Sequence, residues 1–253
     1  DSFNVRVAEQ MYMRRDWLDT MKQRILQSEL GTKGAYVYSD NDFIFLGEVV
    51  EQITGMNLDA YVRKTFYEPL GLQSTGFFPR NHITTDRIVP TENEVSFRRQ
   101  LLRGDVHDPA AAMMGGMAGH AGLFSTAYEM AVLMQLLCNG GSIGNLQFFQ
   151  PATVALFTTY GAANSRRGLG FDKPERDNAT RKQPYPCRAA SPATFGHTGY
   201  TGTCVWADPV NKLVYIFLSN RVYPDGGSNT KILTMDIRGK IQEEIYKAEK
   251  NAE

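Results

Sequence analysis

Apolar positions recur at helical spacing through most of the first half of the chain and at strand density in the last third. From about Val5 to Leu30 helix formers dominate, and Trp17, Met21, Ile25 and Leu26 fall close to helical spacing, which predicts a helix. After Gly34 a short extended run, Ala35-Tyr36-Val37-Tyr38, leads into Ser39-Asp40-Asn41-Asp42. Phe43, Leu46, Val50 and Ile53 then follow at steps of three and four, one face of a second helix ended by Gly55. Asn57 is placed to cap a third helix carrying Leu58, Tyr61 and Val62, which stops near Pro69-Leu70-Gly71. Residues 76–123 hold no sustained period and many Gly, Pro, Asp and Asn, the composition of a long functional or covering loop.

Periodicity returns at Thr126-Ala-Tyr-Glu129, a capping box ahead of Met130, Leu133 and Leu137, with Asn139-Gly140-Gly141 as the stop. Pro151 suits the first turn of a further helix through Phe157. The character then changes. Gly168–Phe171 reads as a short strand and 172–193 as a polar loop. The stretches 194–207 and 213–220 read as β-rich runs joined by a hairpin at 208–212. Leu233, Ile237, Ile241 and Ile245 share one face of a terminal helix. The order predicts an α+β fold, with a mostly helical lobe over 1–165 and a sheet-and-helix lobe over 166–253. It excludes the strand–helix alternation of a dinucleotide-binding fold, and no internal repeat is present.

Composition narrows the function classes. The chain has 253 residues, 42% of them hydrophobic, enough for a sizeable core. Lys+Arg and Asp+Glu are both 27, so nothing electrostatic favours nucleic acid or an anionic membrane. No run is long and apolar enough to span a bilayer. Cys138, Cys187 and Cys204 lie far apart and lack metal-ligand spacing; His107 and His120 likewise fit no zinc motif and read as loop anchors, so no metal and no cofactor is expected.

Two short motifs carry the chemistry. Tyr38-Ser39-Asp40 stands between an extended run and a helix, and His197-Thr198-Gly199 opens a strand. Between them lies Gly116-Met-Ala-Gly-His-Ala-Gly-Leu-Phe-Ser-Thr126, and Asp208-Pro209 follows the second. In that order these segments resemble the Tyr-x-Asn and Lys-Thr-Gly elements of serine β-lactamases and penicillin-binding proteins of the class C, DD-peptidase and esterase type. The resemblance runs from Tyr36 to the terminal helix. It implies a β-lactamase/transpeptidase-like fold, and a serine hydrolase that forms an acyl-enzyme on D-alanyl peptides, esters or related acyl compounds. Tyr38 and His197 take the catalytic positions. Asp40, Thr198, Gly199 and Tyr200 take substrate-binding positions, with the Tyr200 N–H as an oxyanion donor. A periplasmic or secreted location is implied in the same way.

The sequence departs from the lactamase pattern in ways that carry chemical meaning. His197 stands where the family has lysine, and imidazole carries less positive charge at neutral pH than an ammonium. Asp40 stands where the family has asparagine, and a carboxylate accepts hydrogen bonds but does not donate them. Both changes argue against specialised β-lactam hydrolysis. The resemblance also calls for a Ser-x-x-Lys nucleophile many tens of residues before the tyrosine, whereas only residues 1–37 precede Tyr38. The literal match Ser228-Asn-Thr-Lys231 comes too late and reads as a surface cap. Gly140-Gly-Ser-Ile-Gly144 follows a helix where a nucleophile elbow needs a strand. The nucleophile, its helix and the N-terminal strands of the sheet are therefore expected outside the chain, and the sheet is expected to need that segment or a partner to complete it. The chain alone is expected to be inactive. The competing expectation is a non-catalytic accessory or binding module, such as the C-terminal part of a family 3 β-N-acetylglucosaminidase-type protein.

Overall fold

The computed structural model describes residues 2–34 and 36–251. They form two compact units, Asp1–Thr126 with Val222–Gly226, and Ala127–Arg221 with Gly227–Glu253.

The first unit opens with a hairpin rather than the helix expected from Val5. Strand β1 (Phe3–Ala8) pairs antiparallel with β2 (Met11–Arg14), and α1 starts only at Asp16, ending at Leu26. Alternation decides the matter. Val5 and Val7 point inward while Phe3 is exposed, the period of a half-buried strand. Val7 packs with Val106, Ala111, Ala112 and Ala118. Helix α2 (Asp40–Thr54) behaves as its sequence predicts. Ser39 caps it by accepting from the Asn41 N–H at 3.2 Å, and Gly55 ends it at φ 65°. Asn57 caps α3 (Leu58–Val62) through the Ala60 N–H at 2.8 Å, and a π-helical turn, Arg63–Tyr67, extends it.

The aperiodic segment is a framework of short pieces. A two-stranded ladder joins β3 (Glu92–Glu94) to β4 (Gln100–Leu102), followed by α4 (Pro109–Met113), capped by Asp108. Asp105, almost fully buried, ties this region to the hairpin by accepting from Arg6 and from Arg80.

In the second unit α5 (Ala127–Cys138) packs across a three-stranded antiparallel sheet ordered β7 (Phe195–Thr198), β8 (Cys204–Asp208), β9 (Leu213–Phe217). Met134 of α5, Phe195 and Ala207 form the core on that face. Trp206, Tyr215 and Cys204 form the core on the other, against Ile245 of α8 (Ile237–Lys250), whose Tyr246 is buried near Cys187. The lobes read at 1–165 and 166–253 divide the chain by motif. The compact units divide it after Thr126, because α5 buries its apolar side on the sheet.

Between α5 and the sheet the chain makes a small hairpin of β5 (Ser142–Ile143) and β6 (Leu146–Gln147), then α6 (Pro151–Thr158). The strand expected at Gly168–Phe171 is absent; an isolated bridge between Asp172 and Gly196 supplies the pairing instead. The terminal helix is also shorter than its apolar face. Leu233 belongs to a separate turn, α7 (Lys231–Thr234), and Asp236 at φ 49° breaks the run before α8. Among the described residues no helix is long and apolar enough to cross a membrane.

Candidate active site

The first motif sits at the start of α2. Ser39 is extended, at φ −146° and ψ 138°, and its hydroxyl closes the helix end. Tyr38, just before it, is 53% exposed, and Asp40 forms the exposed first turn. Two glycines decide what lies beside that turn. A Cβ on Gly119 would sit 2.0 Å from the Phe43 carbonyl oxygen, and a Cβ on Gly47 would meet the Gly119 nitrogen at 3.2 Å. The Gly-rich segment therefore lies directly on the α2 backbone.

That approach brings His120 to Asp108, Nε2 to Oδ1, at 2.8 Å. Asp108 also accepts from the Ala111 N–H at 2.7 Å as the α4 cap. Burial works to raise the Asp108 carboxyl, but the bonds from His120 and Ala111 outweigh it and leave it below the ordinary range. Asp40, Asp108 and His120 bring one ligating atom each to within 4.8 Å of one another, the group among the described residues able to hold a cation. Asp108 and His120 use the approach for a direct hydrogen bond. His107 faces Glu92, Nε2 to Oε2, at 3.4 Å, a loop anchor as its sequence setting predicts.

A cavity of about 160 Å³ also lies in this unit, lined by α1, α2, Leu58 of α3, Met114 and residues 117–119, with Lys22 and Glu48 on its wall. Tyr38 and Asp40 do not line it.

The second motif occupies β7. His197 pairs with Val205 and Thr198 with Cys204 across the ladder. Gly196, one residue earlier, admits no side chain, since a Cβ would meet the Val205 carbonyl oxygen at 2.0 Å and the Trp206 ring at 2.8 Å. The strand then turns tightly. The Gly199 N–H donates to the Thr203 carbonyl at 2.8 Å, and the Gly202 N–H to the Gly199 carbonyl at 3.1 Å. A Cβ on Gly199 would meet the Thr203 hydroxyl at 2.3 Å. Tyr200 is exposed at the tip of this turn, its carbonyl accepting from Arg221 Nε at 2.7 Å and its ring lying 4.3 Å under that guanidinium.

Behind the strand lies a charged cluster that sequence reasoning missed. Asp172, 1% exposed, accepts from Arg166 Nε at 2.8 Å and Nη2 at 3.1 Å, and from the Tyr185 hydroxyl at 2.7 Å. Arg167 Nη1 lies 2.7 Å from His197 Nε2. Nearby, Lys173 is buried with Nζ on the Thr194 carbonyl, and desolvation lowers it to about 8. Both arginines lie in an aperiodic loop some 30 positions before His197; their visible signal was a pair of arginines ahead of Gly168-Leu169-Gly170.

The decoy serines keep to structural duty. Ser142 lies in the β5–β6 hairpin, and the Ser228-Asn-Thr-Lys231 stretch is exposed, with Asn229 Oδ1 accepting from the Lys231 N–H at 3.1 Å.

A helix-capping Tyr-Ser-Asp, and an antiparallel strand carrying His-Thr-Gly under a helix, define the β-lactamase/transpeptidase-like class. The Beta-lactamase family model matches residues 2–236, and the chain belongs to that family. A protein of Salmonella enteritidis named putative D-alanyl-D-alanine carboxypeptidase is 42% identical over 216 residues, covering 81% of this chain and 49% of that protein. The chain thus spans about half the length of the curated relatives it matches. Two solved structures share the fold. A penicillin-binding protein homologue from Caulobacter crescentus has 19% identity and a TM-score of 0.58, over 84% of this chain and 60% of its own. A β-lactamase from Mycobacterium bovis has 21% identity and a TM-score of 0.54, over 84% and 64%.

Proposed function

We propose that the chain carries the tyrosine and the His-Thr-Gly strand of a serine acyl-transfer enzyme, acting on D-alanyl peptides, esters or related acyl compounds, with the nucleophilic serine outside residues 1–253. The observation that supports this most is the build of residues 196–203. Among the described residues, strand β7 has one partner strand, β8, and its outer side is bonded to Asp172 only at Gly196, while Gly199 brings no side chain to the turn that follows, so an extended acyl group can approach the backbone beyond Gly196. The carboxypeptidase name of a 42% identical relative points the same way.

In this reading the Tyr38 phenolate takes the proton of the serine hydroxyl as that oxygen attacks the acyl carbonyl. The Tyr200 N–H shares the developing oxyanion with the nucleophile's own N–H. The proton then passes from Tyr38 to the leaving group, the carbonyl re-forms, and water repeats the sequence to release the acid. Thr198 and Asp40 contact the substrate. A phenol serves as base only where neighbouring cations favour its ionised form, a task for the lysine of the absent motif. Asp40 offers no amide donor to an acylamino side chain, which favours peptides or esters over penicillins. Such substrates fit an enzyme working outside the cytoplasm.

The full-length protein, treated with a fluorophosphonate probe and separately with a labelled penicillin, tests the reading. Fluorophosphonate labelling is expected to exceed penicillin labelling, and Tyr38→Phe is expected to slow it about 100-fold or more. Failure of both probes to label would contradict the assignment. Unchanged labelling in Tyr38→Phe would remove the tyrosine from its role.

A further inference from the structure

Each ring nitrogen of His197 meets a group whose chemistry decides where the proton is. Nδ1 lies 2.8 Å from the Thr198 carbonyl oxygen, which only accepts, so Nδ1 carries a hydrogen. Nε2 lies 2.7 Å from Arg167 Nη1. A guanidinium only donates and stays charged at any working pH, so Nε2 presents its lone pair. An imidazole that donates on one side and accepts on the other is neutral.

We infer that Arg167 is a positioning residue that locks His197 as the neutral Nδ1–H tautomer, so that the fixed positive charge at this strand belongs to the guanidinium rather than to the imidazole.

The rest of the cluster holds Arg167 for this task. Arg167 Nη2 approaches Asp172 Oδ2 at 3.6 Å. The Asp172 backbone is bonded in both directions to Gly196, its N–H to the Gly196 carbonyl at 2.7 Å and its carbonyl to the Gly196 N–H at 3.0 Å. One residue therefore fixes both the guanidinium and the strand position next to His197. Arg166 neutralises Asp172 from a second side. Burial first, and then the Asp172 carboxylate, push the Tyr185 phenol well up, so its hydroxyl remains a donor. Among the described residues, Arg166, Asp172 and Tyr185 are charged or titratable groups that gather on the Arg167 side of the pair.

The lock alters what the lysine-to-histidine change means. With its Nε2 lone pair engaged, His197 is no general base while the contact persists. It relays the polarisation of a buried-anchored guanidinium to the strand edge, so the cationic character that a lysine would bring is supplied one side chain further back. This consequence rests on the acyl-transfer reading; the lock itself does not.

Imidazole nitrogen NMR on the ¹⁵N-histidine-labelled full-length protein at pH 7 tests it, with His197→Gln identifying the signals. The expected pattern is one protonated nitrogen, Nδ1, and one unprotonated nitrogen, Nε2. In Arg167→Ala the two resonances are expected to move toward each other as the tautomers interconvert, and Arg167→Lys, which still donates, should restore the original pattern. An imidazolium pattern, or a hydrogen on Nε2, in the unaltered protein overturns the inference, as does an Arg167→Ala pattern identical to the original. If Arg167→Ala does not fold, the unaltered protein and Arg167→Lys still decide the question. The readout is the place of a proton and not turnover, so it can fail while the acyl-transfer reading stands, and the reverse.

Discussion

Gly199 sets the shape of a strand end and, in the proposed reading, its use as well. Its N–H is spent on the turn to Thr203, and the space a side chain would fill already holds the Thr203 hydroxyl, 2.3 Å from the ideal Cβ position. Gly199→Ala is therefore expected to push the turn apart, costing about 1–3 kcal/mol by urea denaturation. It is also expected to lower probe labelling of the full-length protein more than that loss of stability accounts for. A labelling rate unchanged from the original would show that no substrate lies along this edge. His197 and Arg167 mark the limit of reading single residues. The imidazole was legible from its motif, but its partner was not, because the two meet only once the loop before Asp172 folds back on the strand.

At the scale of elements, legibility followed local signals. Helix α2 announced its end in Gly55, a glycine in the left-handed region, and α3 announced its asparagine cap, whereas the Ser39 cap of α2 went unread. The β1–β2 hairpin went unread because its turn uses Gln10 at φ 56°, where a glycine or asparagine would have given the sign. The break between α7 and α8 was hidden for the same reason, with Asp236 taking the left-handed conformation amid a continuous apolar face. The contact of the Gly-rich segment with α2 yields a prediction of its own. Gly119→Ala would place a methyl group 2.0 Å from a backbone oxygen of α2, and backbone cannot swing aside as a side chain does. A loss of about 3 kcal/mol is expected by urea unfolding, with His120 moved off Asp108. Retention of the original stability would mean that the segment does not lie on the helix as described.

Across the whole molecule, one buried carboxylate joins much of the second unit. Asp208 accepts from the Ser191 hydroxyl at 2.6 Å and N–H at 3.0 Å, from Asn211 Nδ2 at 2.7 Å and from the Tyr246 hydroxyl at 2.8 Å, linking the β8–β9 hairpin, the loop before β7 and α8. Burial opposes its charge, yet these donors hold the carboxyl at about 2. The folded value lies below the ordinary 3.8, so the stabilisation is complete above about pH 4 and is lost as pH falls toward 2. The shift is worth about 2.5 kcal/mol. Asp208→Asn should flatten the fall in stability between pH 4 and pH 2 while lowering stability at pH 7, measured by thermal unfolding across that range. An unaltered slope would remove Asp208 from this role.

The family was legible from two tripeptides and their order, and the family match over residues 2–236 agrees with it. The complete catalytic set was not, since it calls for a serine that neither motif supplies. The central proposal is that Tyr38 and strand β7 serve an acyl-transfer site whose nucleophile lies outside residues 1–253. Peptide mapping by mass spectrometry of the fluorophosphonate-treated full-length protein tests it directly. The account predicts a single adduct on a serine outside residues 1–253. An adduct within these residues, at Ser142, Ser228 or any other, or no adduct at all, would contradict it.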